Sequence, residues 1–227
     1  MIGALLPPGV AWAERFADDV PEALFPQEQQ AIAQAVPKRR REFATGRWCA
    51  RRALHRLGLP SVPILPGERG APGWPPGVVG SITHCPGYRG AVVARAGAFL
   101  TVGVDAEVDE PLPDGVLEAV SLPAERSQLD RPGPPSWDRL LFSAKESIYK
   151  AWFPVARRWL DFTEAQVTLH DDGTFTADVL VDGPLRAVGG RWLSSGGLLL
   201  TAVAIPAPAY FPPASRPAPP RRGRPAQ

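Results

Sequence analysis

Two carboxylic acids alternate at the end of an apolar segment, residues 102–107, with the sequence VGVDAE. Alternate side chains of a β-strand share one face, so we expect Asp105 and Glu107 to point the same way. Two carboxylates held so closely raise each other's pKa unless a cation lies between them. Oxygen ligands of this kind suit Mg²⁺, which also binds phosphate oxygens of a substrate. A solvated acidic turn is the alternative, and this segment alone leaves both open.

A second set of charged side chains lies in residues 142–152, FSAKESIYKAW. At helical spacing, Lys145, Glu146, Tyr149 and Lys150 are predicted to form one polar stripe. Glu146 would add a third carboxylate to a metal site, and Lys145 would offer a cation to a phosphate. The alternative is a surface helix whose Glu146–Lys150 pair is worth only ~0.3–0.5 kcal/mol.

A histidine follows the predicted strand in the segment 80–85, GSITHC. The small residues beside it would let a ligand approach the backbone closely. His84 can donate a hydrogen bond to a phosphate oxygen, more strongly when it is charged. A structural or exposed histidine is the alternative.

Basic residues crowd into one predicted helix, within residues 38–52. Arg40, Arg47 and Arg51 are spaced seven and four apart and should share a stripe. Their guanidinium groups match the geometry of phosphate. The alternatives are a solvated face and an RNA-binding patch, although the aromatic interleaving typical of single-strand binding is not evident. Arg69 adds another cation in the loop that follows.

Apolar periodicity predicts the elements that must position these side chains. Helical spacing covers residues 27–58, with a break near Pro37 and a stop at Gly58, and returns over residues 137–152, ending before Pro154. Short β-rich segments predict strands at 78–83, 91–94, 100–104, 165–169, 175–181, 185–192 and 198–205.

Segments rich in Pro and Gly separate these elements. Residues 60–77 are predicted to be an ordered loop, and residues 109–136 to mix a short helix with loop. After Pro206 the chain is rich in Pro, Ala and Arg without periodicity, so we expect the last fifteen or so residues to be disordered.

Composition is that of an ordinary soluble globular protein, with 44% hydrophobic and 21% charged residues among 227. The net charge of +2 is too small to indicate nucleic-acid binding. Cys49 and Cys85 lie far apart, which indicates neither a disulfide framework nor a metal-ligand spacing. We find no signal peptide and no run near the roughly 20 apolar residues of a membrane span, and we expect a cytoplasmic protein.

The order of these segments resembles the 4′-phosphopantetheinyl transferase superfamily. The resemblance rests on GRWCARRAL, ERGAPGWPPGVVGSITHCPGYRGAVVA, VGVDAE and FSAKESIYKAW, and it covers roughly residues 30–205. It is closest to the surfactin-type branch, which includes enzymes like enterobactin synthetase component D.

The resemblance implies an α+β fold of two similar halves related by a pseudo-twofold axis. Each half would pack an antiparallel sheet against a long helix, with the active site in the cleft between them. The first half would span residues 1–102 and contact the nucleotide and phosphates of coenzyme A. Residues 103–208 would carry the metal site and catalytic helix, and residues 209–227 would form a Pro/Arg-rich tail. The resemblance also implies a monomer.

The reaction implied is transfer of phosphopantetheine from coenzyme A to a serine of an apo acyl or peptidyl carrier protein. Its products would be the holo carrier protein and adenosine 3′,5′-bisphosphate. Mg²⁺, or else Mn²⁺, would be the cofactor, with neither nucleic acid nor membrane as a partner. The alternative is a non-catalytic module that binds coenzyme A or docks carrier proteins.

Matching motif positions assign residues to these roles. Asp105, Glu107 and Glu146 would hold the metal against the pyrophosphate, while Arg47 and Arg51 would contact the adenosine 3′-phosphate. The residues implied to contact coenzyme A are Arg47, Arg51, Arg69, Gly70, Thr83, His84, Asp105, Lys145 and Lys150.

Three residues are implied in catalysis itself. Lys145 would offset charge on the phosphate oxygens. Glu146, directly or through a water, is the first candidate for the base that removes the serine proton, and Lys150 is the second. Because an ordinary lysine has a pKa near ~10.4, Lys150 would need a large downward shift, and the sequence leaves the choice open.

Overall fold

The computed structural model describes residues 1–19 and 24–208, and within them it confirms the α+β class. The predicted disorder of the tail lies outside the described residues. The helices of the described part are α1 (Pro26–Ala31), α2 (Pro37–Arg56), α3 (Val116–Val120), α4 (Pro123–Arg126) and α5 (Trp137–Ala156). The strands are β1 (Val10–Arg15), β2 (Val78–Cys85), β3 (Tyr88–Arg95), β4 (Phe99–Val108), β5 (Ala165–Leu169), β6 (Thr174–Val179), β7 (Ala187–Ser195) and β8 (Leu198–Pro206).

The strands form two antiparallel sheets, each packed against one long helix. The three-stranded sheet has the order β1-β3-β2 and contacts α2, and the five-stranded sheet has the order β4-β8-β7-β6-β5 and contacts α5. The amide of Val104 on β4 donates to Ser81 Oγ on β2 at 3.1 Å and so joins the two sheets. Because β4 begins at Phe99, the second sheet starts a few residues before the predicted division at 102/103.

Helix α2 begins and ends where the sequence predicts. Pro37 occupies its first turn, where the missing amide costs no hydrogen bond. Gly58, with φ +71°, follows the helix and takes the left-handed conformation common at helix ends. The buried residues of α2 include Phe43 and Leu54, so the apolar face predicted for the second part of residues 27–58 is confirmed.

Helix α5 runs further than predicted, because it continues through Pro154 to Ala156. A proline in a helix removes one bond to the carbonyl four residues earlier. Here it lies in the last turn, and Arg157, in the left-handed region, closes that turn by donating from its amide to the Phe153 carbonyl at 2.9 Å. The expected stop before Pro154 is therefore wrong by about one turn.

Gly103 allows α5 to lie directly on β4. A Cβ atom at this position would be 2.1 Å from the Ser147 carbonyl oxygen and 2.6 Å from the Ala151 nitrogen. Only glycine permits this close approach. The consequence is that residues of α5 contact the acidic end of β4 two residues later.

None of the helices in the described ranges has both the length and the apolar content needed to cross a membrane.

Candidate active site

A cleft of about 780 Å³ lies where α2, β2 and the 67–74 loop face β4 and α5. This volume is in the usual range for small-molecule sites. Most of the residues predicted from the sequence line it. They are Arg47, Arg69, Gly70, Thr83, His84, Asp105, Glu107, Glu146 and Lys150.

The acidic side of the cleft is built from β4 and α5. Strand alternation turns Asp105 and Glu107 toward the cleft, as predicted, and buries Ala106 in the core. Glu146 on α5 lines the same cleft. Glu107 accepts a hydrogen bond from Arg139 at 3.1 Å, a partner that the sequence did not reveal.

Asp105 is almost fully buried and has partners on both of its oxygens. Its Oδ1 accepts from Lys150 Nζ at 2.6 Å and from Thr83 Oγ1 at 3.3 Å. Its Oδ2 accepts from Ser143 Oγ at 2.9 Å. The ammonium group of Lys150 therefore occupies the side of the carboxylate that faces the cleft.

The other two carboxylates hold their protons more tightly than isolated acids do. Burial, followed by the negative charge of Asp105, raises the pKa of Glu107, against the opposing effect of Arg139. Burial also raises the pKa of Glu146; Lys150 opposes this rise and Asp105 adds to it. A bound cation would offset both causes, since it favours the ionised forms.

The basic side of the cleft carries two of the predicted arginines. Arg47 donates from Nε to the Ile64 carbonyl at 2.6 Å, and its guanidinium lies 4.0 Å from the centre of the Phe43 ring. Burial lowers the pKa of Arg47 to about 10, so it remains a cation at neutral pH. Arg69 lies 5.1 Å from the ring centre of Trp159, which connects the loop to the segment after α5.

His84 also faces this side, beside an arginine that the sequence analysis did not single out. Arg39 Nη1 lies 2.7 Å from His84 Nε2. A guanidinium can only donate, so Nε2 accepts and the ring is neutral, with its proton on Nδ1. Desolvation, and then the charge of Arg39, lowers the pKa of His84. Arg40 instead donates from Nε to the Ala35 carbonyl at 2.8 Å and does not line the cleft.

Lys145, for which the resemblance implies a phosphate contact, is not among the residues that line the cleft. It lies about 100° around the helix from Glu146, at the edge of the face that carries the site. Its buried Nζ donates to Glu125 Oε2 at 2.7 Å and to the Phe162 carbonyl at 2.6 Å. Burial lowers the pKa of Lys145, and Glu125 opposes that change.

Arg51 is likewise turned inward, one helical turn beyond Arg47. Its Nη1 donates to both carboxylate oxygens of Glu28, at 3.0 and 3.1 Å, so it faces α1 rather than the cleft. Arg51 therefore lies outside the cleft lining, and Arg47 is the member of the predicted pair that reaches it.

Within residues 1–19 and 24–208, no group of three or more His, Cys, Asp or Glu side chains is gathered closely enough to hold a metal ion. The chemistry of the donors nevertheless fits a hard divalent cation, since Asp105, Glu107 and Glu146 supply only oxygen ligands. Lys150 on Asp105 and Arg139 on Glu107 are cations already present at two of these carboxylates.

Comparison with known proteins finds two family models along the chain. Residues 27–94 match the model described as "4'-phosphopantetheinyl transferase N-terminal domain". Residues 101–202 match the "4'-phosphopantetheinyl transferase superfamily" model. Each model spans one long helix together with strands of the sheet that packs on it.

Several curated proteins are similar over most of their length. The chain is 54% identical to 4′-phosphopantetheinyl transferase Svp of Streptomyces mobaraensis, over 92% of this chain and 91% of that protein. It is 48% identical to 4′-phosphopantetheinyl transferase PptT of Mycobacterium tuberculosis, over 90% of this chain and 98% of that protein. Enterobactin synthase component D of Salmonella typhi is 34% identical over 58% of this chain and 56% of its own length. The chain therefore belongs to the 4′-phosphopantetheinyl transferase superfamily.

Proposed function

We propose that the cleft transfers 4′-phosphopantetheine from coenzyme A to a serine hydroxyl of an apo acyl or peptidyl carrier protein. The observation that carries this proposal is one cleft lined by carboxylates of β4 and α5 and by basic side chains of α2 and β2. The carboxylates are those of Asp105, Glu107 and Glu146, and the basic side chains include Arg47 and His84. Names of the similar proteins agree with such a transferase.

The basic side would bind the nucleotide end of coenzyme A. Arg47 presents a guanidinium fork suited to the adenosine 3′-phosphate. Arg39 supplies donors for a second phosphate, His84 can donate from Nδ1, and Arg69 with Gly70 borders the nucleotide. Arg51 has no part in this contact, because Glu28 holds it inside the first half.

The acidic side would hold Mg²⁺ through Asp105, Glu107 and Glu146. When bound, Mg²⁺ supplies positive charge that offsets the negative charge of the pyrophosphate. Lys150 and Arg139 would exchange their carboxylate partners for phosphate oxygens or solvent. Lys150, at the cleft surface of Asp105, replaces Lys145 as the lysine that contacts the reacting phosphate.

Glu146 is the base that best fits the structure. The serine oxygen forms a bond to the phosphorus next to pantetheine, the bond from that phosphorus to the bridging anhydride oxygen breaks, and adenosine 3′,5′-bisphosphate leaves. Glu146 lines the cleft beside Lys150 and, directly or through a water, accepts the serine proton. Lys150 is already an ammonium donor to Asp105 and serves as a cation instead.

Incubation with coenzyme A, Mg²⁺ and an apo carrier protein, followed by mass spectrometry of the carrier, tests this function. We expect the carrier to gain the mass of one phosphopantetheine group, and we expect a chelator to prevent the gain. Coenzyme A binding without a mass gain on any of several carriers would favour the rival, a non-catalytic binding module. Activity unaffected by a chelator would contradict the metal assignment.

We further propose a monomeric, cytoplasmic enzyme of the holo-[acyl-carrier-protein] synthase type, with no nucleic-acid partner. Residues of both halves line the cleft, so one chain supplies both its carboxylates and its basic side chains. Light scattering should report a monomer with and without coenzyme A. A stable dimer, or salt-sensitive RNA binding, would contradict this.

A further inference from the structure

The two oxygens of Asp105 have different surroundings, and one of them is bound away from the cleft. Within residues 1–19 and 24–208, Oδ1 accepts hydrogen bonds from Lys150 and Thr83, whereas Oδ2 accepts only from the hydroxyl of Ser143. Ser143 is fully buried on α5, one turn before Glu146. Ser143 of α5 therefore binds the carboxylate oxygen of Asp105 that points away from the cleft.

Thr201 on β8 extends this contact by one residue. It is the cross-strand partner of Asp105, so both side chains project from the same face of the sheet toward α5. Thr201 Oγ1 lies 3.0 Å from Ser143 Oγ and 2.9 Å from the Ser143 carbonyl oxygen. We call Ser143 and Thr201 the hydroxyl pair.

The direction of the hydrogen bonds follows from the donors available. A carboxylate only accepts, so the single hydroxyl proton of Ser143 goes to Asp105. A backbone carbonyl also only accepts, so the hydroxyl of Thr201 donates to the Ser143 carbonyl oxygen. Thr201 therefore holds the backbone of Ser143, and the hydroxyl of Ser143 donates to Asp105.

Ser147, on the same helix, shows that a buried serine need not bond outside its own helix as Ser143 does. Ser147 is as fully buried as Ser143. Its hydroxyl donates to the Ala144 carbonyl of its own helix at 2.8 Å, the common solution for a helical serine. Ser143 instead bonds outside its helix, to Asp105.

We infer that the hydroxyl pair positions Asp105, so that only Oδ1 is presented to the cation in the cleft and the carboxylate keeps a fixed distance from Glu146. This inference rests on the proposed function, which places that cation at Asp105. Ser143 and Thr201 are buried and do not line the cleft, so they act through Asp105. Groups that orient metal ligands in this way typically change metal affinity or activity about 10–100-fold when removed.

Binding of Mn²⁺ in the presence of saturating coenzyme A, measured by the electron paramagnetic resonance signal of free Mn²⁺, tests the inference without turnover. Ser143→Ala should raise the Kd of Mn²⁺ about 10–100-fold. Ser147→Ala removes the same atoms from an equally buried site of the same helix, and it should leave the Kd within about twofold of the wild type. Equal Kd values in the two variants, whether both changed or both unchanged, would overturn the inference.

Thr201 supplies a second test that remains valid if Ser143→Ala fails to fold. Thr201→Val keeps the shape and loses the hydroxyl, whereas Thr201→Ser keeps the hydroxyl. We expect a Kd raised severalfold for the first and near the wild-type value for the second. Equal Kd values in these two variants would count against the hydroxyl pair.

Failure of the inference is distinguishable from failure of the proposed function. A wild-type protein that transfers phosphopantetheine and binds Mn²⁺, with unchanged affinity in Ser143→Ala, would refute only the positioning role. A wild-type protein that neither binds Mn²⁺ with coenzyme A nor modifies a carrier would refute both.

Discussion

The two halves of the molecule anchor their long helices by the same arrangement of a buried glutamate. In the first half, Glu28 of α1 is fully buried and accepts two hydrogen bonds from Arg51 of α2. The same carboxylate accepts from the amides of Phe25 and Ile64, at 3.0 and 2.9 Å. One side chain thereby joins a short helix, a long helix and the following loop.

The second half repeats this pattern with different residues. Glu125 of α4 accepts from Lys145 of α5 at 2.7 Å, and from the amides of Leu122 and Val167 at 2.7 and 2.6 Å. Each glutamate stands at the third position of a short helix whose first residue is proline. The correspondence supports the pseudo-twofold relation of the halves at the level of single hydrogen bonds.

On each long helix, one cation pairs with the buried glutamate and at least one other cation lines the cleft. Arg51 and Lys145 pair with the buried glutamates, whereas Arg47 and Lys150 line the cleft. The halves differ in the cation that pairs with the buried glutamate, which is an arginine in the first half and a lysine in the second. The guanidinium satisfies both oxygens of Glu28, but the ammonium of Lys145 divides its donors between Glu125 and the Phe162 carbonyl.

The largest effect is expected from removing either glutamate. Glu28→Ala and Glu125→Ala should each lower the free energy of unfolding by about 3–5 kcal/mol, because a buried cation is left without its partner. Urea unfolding of the two variants measures this. Glu118→Ala, at an exposed position of α3, is the control and should change stability by less than about 0.5 kcal/mol. A large loss of stability in only one of the two glutamate variants would contradict the correspondence between the halves.

The two lysines of α5 should separate stability from activity. Lys145→Met should be destabilising because Glu125 loses its cation, while the rate of transfer per folded molecule stays within about tenfold. Lys150→Met should instead slow transfer by about 100-fold or more. It should lower the melting temperature less than Lys145→Met does, because the Lys150 side chain is partly exposed whereas that of Lys145 is buried. Melting curves and single-turnover transfer rates test both statements. A stable Lys145→Met variant with a strongly reduced transfer rate would instead indicate that Lys145 contacts the phosphate.

Residues whose geometry is local were predictable from the sequence. The alternation of Asp105 and Glu107 follows from strand periodicity, and the stop at Gly58 follows from its freedom to take a positive φ. Helical spacing also placed Glu146 and Lys150 on one face, since both line the cleft.

Residues whose partners are distant in the sequence were not predictable in the same way. Lys145 and Arg51 turn inward because of glutamates 20 and 23 residues away, and no periodicity links them. A signal did exist in the repeat of Pro26-Gln27-Glu28 as Pro123-Ala124-Glu125. The hydroxyl pair had no such signal, because buried serines and threonines are common. The register of β4 with β8 brings Thr201 beside Asp105, and the packing of α5 on β4 brings Ser143 there.

The smallest expected effect concerns a turn beside Lys145. Asp161 accepts from the amide and hydroxyl of Thr163, at 3.0 and 2.8 Å, and these bonds lower the pKa of Asp161 below its ordinary value of 3.8. Its stabilising contribution is present above pH 3.8 and is lost as the pH falls through the lower, folded-state pKa. Asp161→Ala should therefore melt slightly below the wild type at pH 7, with a difference that narrows in acid. Asp114→Ala, in an exposed turn before α3, is the control, and a difference that widened in acid would contradict the assignment.

The central claim is that the cleft between the halves performs the transfer, with Asp105 and Glu146 at its centre. Its most direct test is the single-turnover rate of carrier modification by Asp105→Ala and Glu146→Ala, each checked for native circular dichroism. Both variants should transfer phosphopantetheine at least about 100-fold more slowly than the wild type while remaining folded. A folded variant of either residue with a rate within a few fold of the wild type would show that the active site lies elsewhere.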